Sequence, residues 1–314
     1  MPVDASAGLR AVSLTNQNKT AVIVGGTLGI GAAVARLLAK LGCSRIIILG
    51  RNERRGKAVV DAMKELAPEG SGLVAEFLRA DLSDSKGMRD AAAAMQNAVG
   101  EKGIDFLVMT QNGTPAGRNI VFNSDGHDTA FAVQAISRFA LGYLLTTSNA
   151  LAPNAIVLSV ANQGVNLPSF SVDDLSLKEP FDKGRSAPSL FMDQSRRDST
   201  LLDSVFEEFN IRFPQYRYYS IHPGLVKTEE FSLDFSPGYI KILMWLGLKL
   251  MGIMPDEYAP YPVYILIGKD KEEKLGSGRY FNRVLSASKL GKWASEPENR
   301  KALWVKLEGI VVGK

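Results

Sequence analysis

The chain alternates between short apolar runs and longer segments with the spacing of amphipathic helices. The first unit, "TAVIVGGTLGIGAAVARLLAKL" (Thr20 to Leu41), is an apolar run, a glycine-rich turn and a helical pattern. Further apolar runs are "SRIIILG", "LVAEFLRADL", "IDFLVMT", "NAIVLSV" and "YRYYSIHPG", and helical patterns separate them, including a long one from about Asp128 to Ser148. Because these runs are apolar on both faces, the pattern predicts an α/β fold with a doubly wound parallel sheet.

We expect one domain, residues 19–314, preceded by an N-terminal arm, residues 1–18, that lacks the pattern of a secretory signal. The last third of the chain is irregular in pattern, and residues 229–260 are expected to cover a substrate. Within them the apolar run 238–254 is only 17 residues long and contains Lys241 and Lys249, so it is short for a membrane span. It fits a buried or pocket-covering helix, or alternatively a helix that lies at a membrane interface.

Composition narrows the classes of partner. The 37 basic and 33 acidic residues give a net charge of +4 without a basic tail or stripe, which argues against a nucleic-acid surface. One cysteine, Cys43, excludes an internal disulfide framework and fits a reducing compartment, so we expect a cytoplasmic protein. With only two histidines besides, a zinc site made by the protein alone is not expected.

The glycine-rich turn predicts a phosphate site. Gly25, Gly29 and Gly31 follow the first strand at the start of the first long helix. A turn without side chains lets the backbone approach a pyrophosphate, and the helix N-terminus supplies unpaired N–H groups. The sequence therefore predicts a Rossmann-type dinucleotide site, with Thr27 and Ile30 also in contact with the nucleotide.

The end of the second apolar run indicates which nucleotide is bound. An acidic residue there would bind the ribose 2′-hydroxyl of NAD, but the chain has Gly50 followed by Arg51. Arg51 can pair with a 2′-phosphate and Asn52 can add a hydrogen bond, which favours NADP (NADPH). The alternative is that the basic residues here only form a solvated helix start.

With these motifs the chain resembles the short-chain dehydrogenase/reductase superfamily over roughly Thr20 to Thr228. "GGTLGIG" resembles its glycine motif, "ADL" its adenine-binding turn and "HPGLVKT" its Pro-Gly motif, while "VDDLSLKEPF" is similar to a segment of the retinol-dehydrogenase-like branch. The layout is similar to fungal members of natural-product pathways. The resemblance implies a homo-oligomer through the fourth and fifth helices. It also implies nucleotide contacts at Asp81, Leu82, Asn112, Pro223, Gly224, Val226 and Thr228.

The catalytic motif of that superfamily is incomplete here. Its members use a tyrosine as proton donor, a lysine that lowers the tyrosine pKa, a serine and an asparagine. Ser159 matches the serine, or alternatively caps local backbone, and Gln134 stands at the asparagine position. No tyrosine occurs between Tyr143 and Tyr216, so the Tyr-x-x-x-Lys motif is missing in any alignment.

Two alignments of the altered helix remain open. One puts Phe191 and Ser195 at the tyrosine and lysine positions, and the other puts Ala187 and Phe191 there. Candidate replacements are Asp193 as a base, Arg196 (or its neighbour Arg197) as an oxyanion partner, and His222 as a general acid. The alternative is that "DQSRRDS" is a solvated helix start with ordinary charge pairs.

Three functions follow from this reading. The first is an NADP-dependent enzyme that reduces a hydrophobic specialised metabolite without the tyrosine. The second is a non-redox cyclase, isomerase or dehydratase, and the third is a catalytically silent NADP-binding protein. The hydrophobic ligand is inferred from the aromatic residues and methionines after the Pro-Gly motif, which fit core or dimer packing equally well.

Overall fold

A seven-stranded parallel sheet forms the centre of the protein. The computed structural model describes residues 3–113, 117–227, 249 and 252–313. The strands lie in the order β3-β2-β1-β4-β5-β6-β7. They are β1 (Thr20–Val24), β2 (Arg45–Gly50), β3 (Val74–Arg79), β4 (Ile104–Met109), β5 (Leu151–Val160), β6 (Arg217–Ile221) and β7 (Tyr280–Phe281). The first six correspond to the six apolar runs, and the fold class predicted from the sequence is confirmed.

Helices cover both faces of the sheet. In chain order they are α1 (Ala5–Leu9), α2 (Gly29–Lys40), α3 (Glu53–Leu66), α4 (Ser85–Val99), α5 (Thr129–Phe131), α6 (Ser137–Thr147), α7 (Lys178–Asp182), α8 (Ala187–Arg212), α9 (Pro255–Tyr258), α10 (Pro260–Ile267), α11 (Lys271–Leu275), α12 (Lys292–Ser295) and α13 (Pro297–Val312). One face packs against α4, α6, α8 and α13, and the other packs against α1, α2, α3 and α10. Each face has its own apolar core, because every central strand is buried on both sides.

The long helix predicted from about Asp128 to Ser148 is continuous but not uniform. Asp128 caps it by accepting a hydrogen bond from the N–H of Ala130, at 3.0 Å. Between α5 and α6 the residues Ala132–Ile136 form a π-helical segment, and Gln134 lies at its centre. Such turns are rare and occur frequently at functional sites, since they change the direction in which side chains point. Sequence periodicity does not reveal the extra residue in this turn.

The two ends of the chain are more ordered than the sequence pattern suggested. Within the predicted arm, α1 buries Ala5 and Leu9 against α10. The last third of the chain, expected to be irregular, contains α9 to α13 and β7. Most of the segment 229–260, predicted to cover a substrate, lies outside the described residues, and so does most of the apolar run 238–254 within it. The division into arm and domain stays a prediction. Among the helices of the described ranges, none has the length and apolar character needed to cross a membrane.

Helix α13 lies against α6 and α8, the helices that the resemblance assigned to a homo-oligomer. Its Trp304 is 3% exposed and contacts Phe139 and Phe209 edge to face, with ring centroids 5.0 and 4.9 Å apart. The Arg212 guanidinium lies over the same indole at 4.5 Å. A dimer that used these faces of α6 and α8 would have to displace α13.

We expect Trp304→Ala to lower the free energy of unfolding by about 3–5 kcal/mol, because it leaves a cavity between α6 and α8. The matched control is Val305→Ala on the same helix, whose side chain is 67% exposed and should change stability by less than about 0.5 kcal/mol. Urea unfolding followed by circular dichroism measures both. Equal effects of the two substitutions would contradict the packing described for α13.

Candidate active site

A cavity of about 400 Å³ opens at the carboxyl ends of the parallel strands. This is where ligands bind in open α/β sheets, since the strand ends leave a crevice there. Most of the residues predicted to bind a nucleotide line it: Gly25, Thr27, Gly29, Ile30, Arg51, Asp81, Leu82, Asn112, Pro223, Gly224 and Val226. Thr228 lies outside the described residues.

The glycine turn presents backbone donors to this cavity. Gly25 and Gly29 have φ of +79° and +55°, values that residues with a side chain rarely adopt. Helix α2 begins at Gly29, and its N-cap residue Leu28 makes no side-chain cap, so the N–H groups of the first turn lack a capping partner from that side chain. These uncapped donors at the wall of the cavity fit the phosphates of a dinucleotide.

Gly31, predicted to touch the nucleotide, has a different place. It does not line the cavity. A Cβ at this position would lie 2.4 Å from Thr110 Oγ1 and 2.5 Å from the Gly25 carbonyl oxygen. The absence of a side chain at Gly31 therefore allows α2 to pack closely on the end of β4, and its contact with the nucleotide stays a prediction.

Arg51 and Asn52, the residues that follow β2, are separated by the structure. Arg51 lines the cavity with its side chain exposed. Asn52 is instead the N-cap of α3, where its Oδ1 accepts a hydrogen bond from the N–H of Arg55 at 3.0 Å, and it does not line the cavity. The side-chain acceptor of Asn52 is thus used by the helix, and its contact with the nucleotide stays a prediction.

Ser159 does not reach the cavity. Its side chain is fully buried in β5, and its Oγ has no hydrogen-bond partner among the described residues. The cavity is lined by the residues that follow it, Val160, Ala161 and Asn162. Ser159 is not among the residues that line the cavity, and its contact with a substrate oxygen stays a prediction.

The other predicted catalytic residues are dispersed. Asp193 forms an ion pair with Arg185 at 2.8 Å, Arg196 is half-buried, and the Nδ1 of His222 accepts a hydrogen bond from the N–H of Gly224 at 3.3 Å. None of the three lines the cavity, and their catalytic roles stay predictions. Gln134 does line it, and its Oε1 accepts a hydrogen bond from the N–H of Gly113 at 3.1 Å.

Helix α8 brings Phe191 and Ser195 to the cavity wall. The Ser195 Oγ accepts a hydrogen bond from Asn162 Nδ2 at 3.3 Å. Ala187 does not line the cavity, so the alignment that places Phe191 and Ser195 at the site is the one that fits the structure. Neither side chain offers the phenol or the ammonium group of the superfamily motif.

The polar run "DQSRRDS" near the start of α8 is mostly buried. The alternative that it is a solvated helix start is therefore excluded for most of its residues. Gln194 exchanges two hydrogen bonds with the backbone of Gly117, at 2.9 and 3.0 Å. Ser199 and Thr200 accept hydrogen bonds from the backbone N–H groups of the loop that follows β5. These side chains satisfy loop backbone that would otherwise be buried without partners. Through these hydrogen bonds the polar side chains of α8 hold the two loops that border the cavity.

A buried charge cluster lies behind the same wall, and sequence reasoning missed most of it. Arg197 donates from Nε to Asp198 Oδ1 at 2.9 Å, lies 3.6 Å from Asp128 Oδ2, and stacks on Phe131 at 3.9 Å. Asp198 and Arg138 both line the cavity and are 4% and 1% exposed. The available signal was the spacing of Phe191, Ser195 and Asp198, which at i, i+4 and i+7 share one helix face.

Burial dominates the ionisation of this cluster. It raises the pKa of Asp198 to about 7 against the opposing effect of the Arg197 charge. It also lowers the pKa of the Arg138 guanidinium to about 9, against the opposing charge of Asp198. Asp198 is therefore a carboxyl group at the cavity wall that can hold or release a proton near neutral pH.

Comparison with known proteins identifies the family of this chain. Residues 19–152 match the family described as short chain dehydrogenase. An oxidoreductase of Emericella nidulans is 31% identical over 250 residues, which cover 78% of this chain and 69% of the relative. The chain belongs to the short-chain dehydrogenase/reductase family. Polyprenol dehydrogenase of Mus musculus is 26% identical over 307 residues, covering 93% of this chain and 83% of that protein.

Solved structures support the fold of this short-chain dehydrogenase/reductase. A short chain dehydrogenase from Burkholderia cenocepacia, solved in complex with NADP, matches with a TM-score of 0.59 and 18% identity, covering 89% of this chain and 98% of that chain. Family membership makes a nicotinamide nucleotide the expected occupant of the cavity, and the glycine turn described above fits it.

The raised pKa of Asp198 predicts a pH-dependent stability. An unfolded aspartate has a pKa of about 3.9, so between about pH 4 and pH 7 the folded protein retains a proton that the unfolded chain releases. Stability from this group is thus present at about pH 4 and lost as the pH rises through about 7. The free energy of unfolding of the wild type, relative to that of Asp198→Asn, should therefore decline from about pH 4 to about pH 7.

Urea unfolding of both proteins at several pH values measures that difference. Taking the difference cancels the opposite contributions of His127 and His222, whose pKa values burial lowers. A difference that stays constant from about pH 4 to about pH 8 would contradict the assigned ionisation of Asp198.

Proposed function

We propose that this protein is an NADP-dependent oxidoreductase that acts on a small hydrophobic metabolite without a tyrosine proton donor. The observation that carries the proposal is the single cavity, which runs from the glycine turn and Arg51 to Gln134, Phe191 and the Pro223–Val226 segment. One end has the features that bind a dinucleotide, and we place the second molecule at the other end, which side chains of α8 and of the π-helical segment line.

Arg51 supports the choice of NADP. It stands directly after β2, where an acidic side chain would favour NAD, and its guanidinium is free to approach a 2′-phosphate at the cavity rim. The related structure from Burkholderia cenocepacia was solved with NADP. Both points favour the phosphorylated nucleotide.

The apolar wall at the other end supports a hydrophobic substrate. Val133, Val160, Ala161, Phe191 and Leu225 line the cavity there. The name of one relative, polyprenol dehydrogenase, indicates a long apolar alcohol as the substrate of that protein. A ligand with a large apolar surface would be stabilised by removal of that surface from water.

The missing motif limits the reaction. Phe191 and Ser195 line the cavity, and we place them at the tyrosine and lysine positions of the family. Loss of a positioned acid–base group costs about 10²- to 10⁴-fold in rate. We therefore favour substrates that are already electrophilic, such as an iminium ion or an activated double bond, in specialised metabolism. Such a substrate accepts hydride with little help from a proton donor.

The same substitutions favour a second candidate, a non-redox cyclase, isomerase or dehydratase. Without the tyrosine the cavity can hold a reactive ligand near Gln134 and Asn162 with less competing reduction. Product formation that leaves NADPH unconsumed would distinguish this function from the first. Nucleotide binding with no turnover of any metabolite would indicate the silent binding protein instead.

We expect the purified protein to bind NADPH more tightly than NADH, and Arg51→Ala to weaken NADPH binding by about tenfold or more. The reason is that hydrogen bonds to charged groups contribute about 1.5–3 kcal/mol each. NADH binding should hardly change. Fluorescence titration of the reduced nicotinamide measures all four affinities.

The matched control is Arg54→Ala, since Arg54 is an exposed arginine on α3 that does not line the cavity. It should leave the affinity for NADPH within about twofold, because the charge of an exposed side chain outside the cavity is screened by salt. Equal affinities for the two nucleotides in the wild type, or equal losses in the two variants, would overturn the assignment of Arg51.

A further inference from the structure

The cavity has one ionisable pair at the end away from Arg51. Among the described residues that line it, four are ionisable: Arg51, Asp81, Arg138 and Asp198. Arg51 and Asp81 lie on the loops after β2 and β3 and are exposed. Arg138 and Asp198 are almost completely buried and share the wall with Phe191 and Ser195.

Asp198 reaches this wall because of helix geometry. Phe191, Ser195 and Asp198 follow one another at i, i+4 and i+7 on α8, so they form one stripe that faces the cavity. The carboxyl group is thus on the same helix face as the position where the family keeps its tyrosine. No backbone movement is needed to bring it to the cavity.

Arg138 on α6 is held by two hydrogen bonds to backbone carbonyl groups. It lies one turn after Gln134, donates from Nη1 to the Gln134 carbonyl oxygen, and donates from Nη2 to the Val160 carbonyl oxygen at 3.1 Å. Its Nε is buried and has no hydrogen-bond partner among the described residues. A buried guanidinium N–H without an acceptor is costly, and an oxygen atom of a ligand in the cavity is an acceptor that could satisfy it.

We propose that Asp198 is the acid–base group of this cavity and that Arg138 binds the oxygen or nitrogen atom with which it exchanges a proton. The inference rests on the proposed function, since it assigns the second molecule to this end of the cavity. The ligand it implies carries a carbonyl or imine group in an otherwise apolar frame.

The proton balance of the step is simple. In the direction of reduction the O–H bond of Asp198 breaks and an O–H or N–H bond forms on the ligand. The two electrons are supplied as hydride by a dihydronicotinamide, to the carbon of the same double bond. The carboxylate that remains is stabilised by the charges of Arg197 and Arg138, and it regains its proton from water at the cavity mouth.

The remaining candidates lack this access. None of Ser159, Asp193 and His222 lines the cavity. The charged groups that act on Asp198 are Arg197 on its own helix, Asp128 at the start of α5, and Arg138 on α6. Burial raises the pKa of the carboxyl group against the two arginines, which leaves it near neutral pH for proton exchange.

The test is a ¹³C NMR titration of the full chain labelled at the aspartate side-chain carboxyl carbons, in the complexes with NADPH and with NADP⁺. The nicotinamide ring is neutral in the first nucleotide and positive in the second. A carboxyl group beside the ring should therefore titrate at a lower pH with NADP⁺, by about one pH unit. This readout depends on position in the cavity and requires no substrate.

Asp198→Asn assigns the resonance, and if that variant does not fold, Asp198→Glu removes the same aspartate signal. The matched control is Asp203, a buried aspartate five residues later on α8 whose pKa burial also raises to about 7. Its carboxylate accepts hydrogen bonds from the backbone of Gly164 and Gly291 and does not line the cavity, so Asp203→Asn identifies a signal that should titrate equally in both complexes.

A difference of about one unit at Asp198 with none at Asp203 supports the proposal. Equal midpoints at Asp198 in the two complexes would overturn it and leave the oxidoreductase function intact, because both nucleotides would still be bound. If neither nucleotide binds in the fluorescence titration, the proposed function fails, and the inference that rests on it fails with it.

Discussion

Arg197 is a guanidinium that the fold removes almost completely from water, and the geometry of the site depends on how its charge is compensated. Asp198 on the same helix, Asp128 at the start of α5 and the ring of Phe131 surround it. Removing one partner of a buried ion pair commonly costs about 3–5 kcal/mol, since it leaves the other charge uncompensated. The cluster thus fixes α8 against the start of the helix that contains Gln134. The two walls of the cavity are set by this contact.

Stability alone is a weak reason for such a cluster. Well-packed apolar residues in the place of a buried ion pair are often neutral or stabilising, because the desolvation of two charges is avoided. Two of the four charged residues, Asp198 and Arg138, line the cavity, and the other two, Arg197 and Asp128, lie behind them. The proposed proton exchange uses the pair that lines the cavity.

The two halves of the cavity depend on different parts of the chain. The nucleotide end is formed largely by backbone, through the positive φ angles of Gly25 and Gly29 and the N-terminus of α2. The other end is formed by side chains, and here Phe191, Ser195 and Ala161 stand at the wall. Backbone recognition needs only glycine and a regular helix, so it does not depend on the side chains at the other end. The fold therefore sets the nucleotide end, while the side chains decide the chemistry.

The sequence by itself determined the six main strands, their parallel arrangement and the glycine turn, because apolar periodicity and glycine spacing act locally. It also established that no tyrosine is available between Tyr143 and Tyr216. It did not determine the π-helical segment around Gln134, the cover that α13 provides, or the burial of Ser159. These depend on which faces of distant elements meet, and local periodicity does not encode that. The polar run of α8 reads as a solvated surface, and only the tertiary structure decided that it is buried, because its partners, Asp128, Arg138 and the loop after β5, lie far away in the chain.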